Sequence, residues 1–311
     1  MRDGYENVDV ISTCNSKLGR HTLLNYYDES EPLAAVGSVL CAKTDSVNHE
    51  ICLSANNQLN AMWASPEGNL WVIDDLGNVY TTAEMSFKNA PHNKLEFHAG
   101  PSNIQWVVTE VHSLGQLNAI WGSADHDVWV TSFSGKTFHW DGAIWLEYSL
   151  PKAPNAIHGS SPNDVYVVGY NGNISYWNGA VWSNILLPEG VRSNEPFTDV
   201  RAVNAEQVYI TGRGGVLLVG NASIGINNIS TPEYSWYGVG LLEDRVFLAG
   251  GKKGIFELAD NKLICLKDKG HPVAVCESEK SIHFIPAEQE TNPWYVRYEP
   301  GAPREWTKVN T

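Results

Sequence analysis

Residues 117–135 read LNAIWGSADHDVWVTSFSG, and a closely similar stretch, PNAIHGSSPNDVYVVGYNG, occupies residues 154–172. A third copy, NAMWASPEGNLWVIDDLGNVY, begins at Asn60. Three weaker copies begin at Thr198, Tyr237 and Val273. Successive copies lie roughly 40 residues apart, which is a typical period for a repeated supersecondary unit. The chain is therefore built from a structural repeat.

Each repeat has the pattern of four short β-strands. In the best-defined copy we predict a first strand at Asn118–Gly122, a second at Asp127–Thr131 and a third at Lys136–Trp140. The second is rich in β-branched and aromatic residues, which favour strands. The pair Asp141-Gly142 then predicts a two-residue type I′ turn into a fourth strand, AIWLEYS. The repeat is thus a four-stranded antiparallel meander.

A single meander of this size cannot bury both of its faces, so successive copies must stack, and radial stacking leaves only short sheet edges. The sequence therefore predicts an all-β fold, a β-propeller of four-stranded antiparallel blades. We expect one domain over residues 1–311, with six recognisable repeats in residues 59–311. Residues 1–58 form either a divergent first blade or a closing segment, so seven blades are favoured and six are the alternative.

The copies AIWGSADHDVWVTS and AIHGSSPNDVYVVG are each followed by a W-[DN]-G-A-x-W hairpin. In this they resemble a broad class of bacterial β-propeller repeats, of the WD40-like and kelch-like kinds. The resemblance covers about residues 59–265 and is strongest over residues 117–185. It implies the propeller fold but not one function, because such propellers include enzymes, lectins and protein-interaction platforms.

The formal net charge of the 311-residue chain is -14. This charge repels nucleic acid and anionic membranes and favours a basic protein partner. The first residues, MRDGYE, contain no apolar signal segment, and no apolar run reaches the ~18 residues needed to span a bilayer. The 5 cysteines show no CxxC spacing. We therefore expect a cytoplasmic protein.

The sequence shows no combination of residues typical of catalysis or of metal binding. Asp125, His126 and Asp127 form a tempting cluster, yet the sister copies read SPND and SPEG at this turn, so we predict that these residues shape the bend. The histidines have no HxH or HExxH spacing. We predict no catalytic residue, no metal site and no cofactor.

One column of the repeat varies where a scaffold would repeat. When the copies are aligned on Ala61, Ala119, Ala156, Asp199, Gly238 and Ala274, the position two residues later is Gly240 in the fifth copy, Cys276 in the sixth, and in the first four Trp63, Trp121, His158 and Arg201. Equivalent positions in a closed ring lie at one level around the axis, and Trp and Arg are enriched in binding hot spots. We predict these four as binding residues. The alternative is that they fill the central channel or pack between blades.

The function predicted from these features is non-catalytic protein binding. One specific form is a bacterial immunity protein that binds and neutralises a toxin, whose toxin domain is expected to be basic. Two alternatives stay open: a carbohydrate-binding lectin, since tryptophans stack on sugars, and a hydrolase or lyase with an axial active site. No nucleic acid or membrane partner is expected.

Overall fold

The structure is a ring of seven antiparallel β-sheets. The computed structural model describes residues 7–28, 31–42, 49–85, 97–99, 104–229, 231, 234–287, 289 and 293–311. Each sheet is one blade, and the seven blades confirm the predicted seven-bladed all-β propeller. Within these ranges the helical structure is a three-residue 3-10 turn, Gly251–Lys253.

The strands follow the chain order, and the first strand of each blade is the innermost. Blade 1 contains β1 (Asn7–Ser16), β2 (Gly19–Asp28), β3 (Glu31–Ala42) and β4 (Glu50–Ala55). Blade 2 contains β5 (Leu59–Ala64), β6 (Leu70–Asp74), β7 (Asn78–Thr81) and β9 (Val107–Glu110), and β8 (Phe97–Ala99) lies between the last two in sequence. Blade 3 contains β10 (Leu117–Ala124), β11 (Asp127–Ser132), β12 (Lys136–Trp140) and β13 (Trp145–Ser149).

The remaining four blades repeat this plan. Blade 4 contains β14 (Pro154–Ser161), β15 (Asp164–Gly169), β16 (Asn173–Trp177) and β17 (Trp182–Asn184). Blade 5 contains β18 (Phe197–Asn204), β19 (Gln207–Gly212), β20 (Leu217–Asn221) and β21 (Gly225–Asn228). Blade 6 contains β22 (Gly238–Leu242), β23 (Arg245–Ala249), β24 (Ile255–Ala259) and β25 (Lys262–Lys267). Blade 7 contains β26 (Pro272–Glu277), β27 (Ile282–Pro286), β28 (Trp294–Tyr298) and β29 (Trp306–Asn310).

Two opposite faces follow from this topology. The turns after the first and third strands of every blade lie at one end of the ring, which we call the lower face. The turn after the second strand and the connection to the next blade lie at the other end, the upper face. Antiparallel order makes this division unavoidable, since each strand reverses the direction of the one before it.

Large aromatic side chains of the second strands form part of the core between blades. Trp71 and Trp129 are 0% exposed and Tyr166 is 1% exposed. Trp71, from blade 2, packs in one cluster with Ile120 and Val128 of blade 3. Such rings remove a large apolar area from water, so the aromatic richness of the chain serves mainly the scaffold.

The outer hairpin of blade 3 departs from the predicted two-residue turn. Trp140 pairs with Trp145, so the loop has four residues rather than two. The Asp141 carboxylate accepts hydrogen bonds from the backbone N–H groups of Ala143 and Ile144, each 2.9 Å long. A side chain that bonds its own loop replaces the backbone pairing that a type I′ turn needs. The Asp-Gly pair therefore predicted the position of the turn correctly, but the predicted type I′ turn is wrong.

An insertion between the third and fourth strands of blade 2 contributes a strand to blade 1. β8 pairs with β4, with Ser54 opposite His98, and so becomes the fifth strand of blade 1. Residues 86–96 and 100–103 of this insertion lie outside the described residues. β8 covers the outer edge of blade 1, and a covered edge is protected from pairing with another chain.

The ring closes between blades 1 and 7 through side chains, because each of these two blades has its own complete sheet. Thr13 Oγ1 lies 2.7 Å from His283 Nδ1 across this junction. Val10 of blade 1 shares an apolar cluster with Ile285 and Tyr295 of blade 7. The alternative of six blades with a closing segment is therefore wrong.

A recurring asparagine joins neighbouring inner strands. Asn60 Nδ2 donates to the Leu117 carbonyl oxygen at 2.6 Å, and Asn118 Nδ2 donates to the Pro154 carbonyl oxygen at 2.8 Å. Asn155 makes the same bond to Phe197 at 2.9 Å, and Thr198 to Trp236 at 2.6 Å. The first letter of the repeated N-A-[MI]-[WH] pattern is thus a link from each blade to the next.

We expect Asn118→Ala to lower the free energy of unfolding by about 1–3 kcal/mol, because it leaves two buried groups unpaired. The lost bonds are the one to Pro154 and the one that Thr131 Oγ1 donates to Asn118 Oδ1 at 2.8 Å. Urea unfolding measures the change. Asn194→Ala, at an exposed position between blades 4 and 5, is the control. Equal stability of the two variants would contradict the role of this link.

Candidate functional site

The inner strands of all seven blades line a central channel with a volume of about 890 Å³. Its wall changes character around the ring. Blades 2 and 3 contribute Trp63 and Trp121, whereas blades 5 and 7 contribute Asp199, Arg201 and Glu277. The channel therefore has an aromatic side and a charged side.

All four binding residues predicted from the sequence lie on this wall, near the lower face. They occupy one register position, each opposite an aromatic residue of the second strand: Trp63 with Trp71, Trp121 with Trp129, His158 with Tyr166, and Arg201 with Tyr209. The structure thus brings the four to one level of the channel. Their role in binding stays a prediction.

The two tryptophans each lie against a glycine of the next blade. A Cβ atom on Gly122 would lie 2.8 Å from Trp63 Cη2, and a Cβ on Gly159 would lie 2.5 Å from Trp121 Cη2. The Trp121 ring also contacts His158, with ring centroids 5.5 Å apart. Trp121 is only 7% exposed. Trp121 therefore packs between blades while one part of it still lines the channel.

A polar chain links blades 4, 5 and 7. The Arg201 guanidinium hydrogen bonds to His158 Nε2 and forms an ion pair with the Glu277 carboxylate. Glu277 Oε1 also accepts a 2.6 Å hydrogen bond from the backbone N–H of Leu241. Blade 6 has Gly240 at the equivalent position, so Arg201 reaches past it to Glu277 without obstruction by a side chain.

Burial sets the protonation states of this chain. Burial and the nearby Arg201 hold the pKa of His158 well below its usual value, so the imidazole is neutral. Burial raises the pKa of Asp199 to about 7, although the backbone N–H groups of Val200 and Val239 donate to it at 2.8 and 2.9 Å. Burial also raises the pKa of Glu277, against the opposing effect of Arg201. The channel thus holds carboxyl groups that a bound cation would help to ionise.

Among the described residues, no group of three or more His, Cys, Asp or Glu side chains is arranged to hold a metal ion. No helix in the same ranges is long and apolar enough to cross a membrane.

Comparison with known proteins identifies the fold. The crystal structure of the WD40 β-propeller domain of Doa1 superposes with a TM-score of 0.62 and covers 95% of this chain and 93% of that chain, at 12% sequence identity. The chain has a WD40-like propeller fold. No protein-family model and no curated protein matches the sequence. At this sequence identity the similarity to the Doa1 domain concerns the fold alone.

The two carboxylates of the acidic cluster, Asp125 and Asp127, form hydrogen bonds within the scaffold. Asp127 accepts hydrogen bonds from Ser123 Oγ at 2.5 Å and from His139 Nε2 at 2.6 Å. Burial acts to raise the pKa of Asp127, but these two donors bring it below the usual value. Asp125 accepts a 2.8 Å bond from the indole N–H of Trp71 in blade 2. Both carboxylates therefore have a structural role, with Asp127 bonded inside blade 3 and Asp125 bonded to blade 2 rather than to its own bend.

Sequence reasoning missed Glu277. It directly follows Cys276, the residue of the predicted column in the weakest repeat, so the alignment drew attention to Cys276 instead. A usable signal was present, because Arg201 is a charged residue in a ring of mostly apolar positions and needs a carboxylate partner when partly buried. The repeat could not show that the partner lies two blades away.

The lower face carries many exposed carboxylates, of which Glu279 lines the channel. Its described turns expose these carboxylates: Glu67, Glu84, Asp141, Glu206, Glu243, Asp244, Asp260, Glu279 and Glu305. They expose fewer cations: Lys17, Lys262, Lys280 and Arg304. The nine carboxylates outnumber the four cations by five, so the described turns of the lower face are acidic.

Proposed function

We propose that this protein is a non-catalytic protein-binding propeller whose lower face binds a basic partner. The observation that carries the proposal is the set of exposed carboxylates on the lower face, with Glu279 at the channel and Trp63, Arg201 and Glu277 on the channel wall. A field of one sign focused at a cleft attracts ligands of the opposite sign and speeds their association.

The channel supplies a place for one side chain of the partner. A lysine or arginine that enters from the lower face meets Glu279 at the mouth and then the partly buried Trp63, while Glu277 on the wall is already paired with Arg201. An aromatic face and a carboxylate together favour a cation, and a cation–π contact contributes about 0.5–2 kcal/mol. His158 and Trp121 are more enclosed, so their part is to hold Arg201 and the wall in position.

In its most specific form the proposal makes the protein a bacterial immunity protein, which neutralises a basic toxin domain in the cytoplasm. Strong charge complementarity suits this task, because a neutralising protein must associate with its target rapidly. A toxin-like gene beside this one would support the assignment.

Reversing two charges on the lower face is expected to weaken partner binding by about tenfold to a thousandfold, mainly through slower association. The variant is Glu206→Lys with Asp244→Lys, both on exposed first turns. The partner is captured from a native lysate with the unaltered protein, identified by mass spectrometry, purified, and measured by biolayer interferometry over a series of salt concentrations.

Glu189→Lys with Asp268→Lys is the matched control, since it changes the net charge equally but alters exposed positions on the upper face. A captured protein that is acidic, or that binds both double variants equally, would rule out the lower face as the site. The immunity form has a separate test. Expression of the partner alone must stop growth, and co-expression of the unaltered protein must restore it.

A further inference from the structure

The upper face exposes apolar side chains along three consecutive blades. We call this set the apolar arc: Leu76 (54% exposed), Leu114 (79%), Phe133 (46%), Tyr170 (44%) and Leu186 (88%). Single exposed apolar residues are normal on a protein surface, but several on neighbouring blades of one face indicate a binding site. Two of the five are aromatic residues at the tips of second-strand turns, where a scaffold has no need of them.

The second-strand turns that carry Phe133 and Tyr170 are each hydrogen-bonded to the connection that precedes their own blade. The backbone N–H of Phe133 donates to the Gln116 carbonyl oxygen at 3.2 Å, and the N–H of Tyr170 donates to Ala153 at 3.0 Å. A Cβ on Gly115 would lie 3.3 Å from the Leu76 Cα, so these two turns are in close contact. The apolar residues therefore project from a pre-formed surface, which lowers the entropy lost on binding.

Basic residues continue the same face onto blades 5 and 6. Arg213, Lys252, Lys253 and Lys269 are exposed there, on second-strand turns and on the connection to blade 7, and Asp268 is an exposed carboxylate beside them among the described residues. This concentration of positive charge stands out on a chain with a net charge of -14. We call these four residues the basic arc.

We propose that the upper face is a second docking surface, for a partner segment in which an apolar stretch is flanked by carboxylates. The apolar arc would take up the apolar side chains of this segment, and the basic arc would pair with its carboxylates. The lower face attracts the opposite charge, so the two faces select different partners. The propeller would then hold two proteins at once, one on each end of the ring.

The test uses a phage-displayed library of random 16-residue peptides, selected on the full-length protein and counted by sequencing. We expect enriched peptides that are acidic and contain leucine or aromatic residues. Fluorescence polarisation then measures one labelled peptide against Phe133→Ser with Tyr170→Ser, and against Arg213→Glu with Lys252→Glu. Each double variant is expected to weaken binding about tenfold or more, as loss of hot-spot contacts does.

Ile144→Ser with Val181→Ser is the control. These residues are 49% and 58% exposed on lower-face turns, and the variant likewise replaces two exposed apolar side chains with serine. Peptide binding must survive it, and must survive Glu206→Lys with Asp244→Lys. No enrichment, enrichment of basic peptides, or indifference to both upper-face variants would overturn the proposal.

A second copy of this chain is the competing occupant, since its acidic lower face would fit the basic arc. Light scattering after size-exclusion chromatography distinguishes the two. A monomer at all concentrations supports a separate partner, whereas an oligomer that Phe133→Ser dissociates assigns the face to self-association and overturns the proposal. Neither result bears on the basic partner of the lower face, whose test uses different variants.

Discussion

Replacing Gly159 with valine is expected to destabilise the protein by about 1–3 kcal/mol or more, the usual cost of forcing a side chain into a filled core. Even a Cβ atom at this position would lie 2.5 Å from Trp121 Cη2 and 2.7 Å from the Asp164 carbonyl oxygen. Both distances are below van der Waals contact, and neither group moves freely, because one is backbone and the other is a buried indole. Thermal and urea unfolding measure the loss.

A double-mutant cycle separates the two clashes. Trp121→Phe removes Cη2 but leaves the Asp164 carbonyl in place, so Gly159→Ala is expected to cost less in the Trp121→Phe background than in the unaltered protein. The coupling energy isolates the contact between blades 3 and 4. Additive effects of the two substitutions would mean that Trp121 does not lie on Gly159.

The sequence itself contains this rule. Gly122 and Gly159 follow Trp121 and His158, and each lies under a tryptophan from the preceding blade. Blade 5 has Ala202 at the same position, and there the incoming residue is His158, whose Nδ1 lies 3.3 Å from the Ala202 backbone nitrogen. In these blades the residue after the variable column is therefore smaller where the side chain from the preceding blade is larger. This pattern is visible only once the blades are known to be adjacent.

Local features were predictable because the repeat states them several times. The predicted strands of blade 3 match β10, β11, β12 and β13 within a few residues, whereas seven blades were favoured over six without a decisive pattern in residues 1–58. The type of the outer turn was not predictable from Asp-Gly alone, because the Asp141 side chain competes with the backbone for the N–H groups of the loop.

Features that depend on contacts between distant parts of the chain were out of reach. The pairing of β8 with β4 joins an insertion in blade 2 to blade 1, and no local pattern specifies that partner. The ion pair between Arg201 and Glu277 depends on the ring placing blades 5 and 7 on either side of a glycine. Sequence reasoning found the variable column of the candidate site but not Glu277, the carboxylate that pairs with Arg201.

Asp199 is expected to make stability fall as the pH rises from about 4 to about 7. Its folded-state pKa is raised from 3.8 to about 7, mainly by burial, so in this interval the folded protein keeps a proton that the unfolded chain has lost. When the unfolded state binds fewer protons, raising the pH favours unfolding, by up to about 1.4 kcal/mol per pH unit. Arg201 opposes this shift and Glu277 adds to it.

Asp199→Asn isolates this contribution. An amide can accept only one of the two backbone hydrogen bonds, from Val200 and Val239, so the variant loses a constant amount of stability at every pH. The diagnostic quantity is therefore the slope. From urea unfolding at pH 4.5 to 8, we expect the stability of Asp199→Asn to rise relative to the unaltered protein as the pH increases. Asp244→Asn, at an exposed turn, should follow the unaltered protein throughout.

The titration of Asp199 is also expected to change the affinity for the proposed basic partner. Protonation of Asp199 removes a negative charge from the channel wall, so partner affinity should fall between pH 8 and pH 6 in the unaltered protein and change less in Asp199→Asn. Parallel stability curves for the two proteins would show that Asp199 titrates at an ordinary pKa. If the two proteins differ in the pH dependence of stability as expected but partner affinity does not change with pH, the partner binds outside the channel.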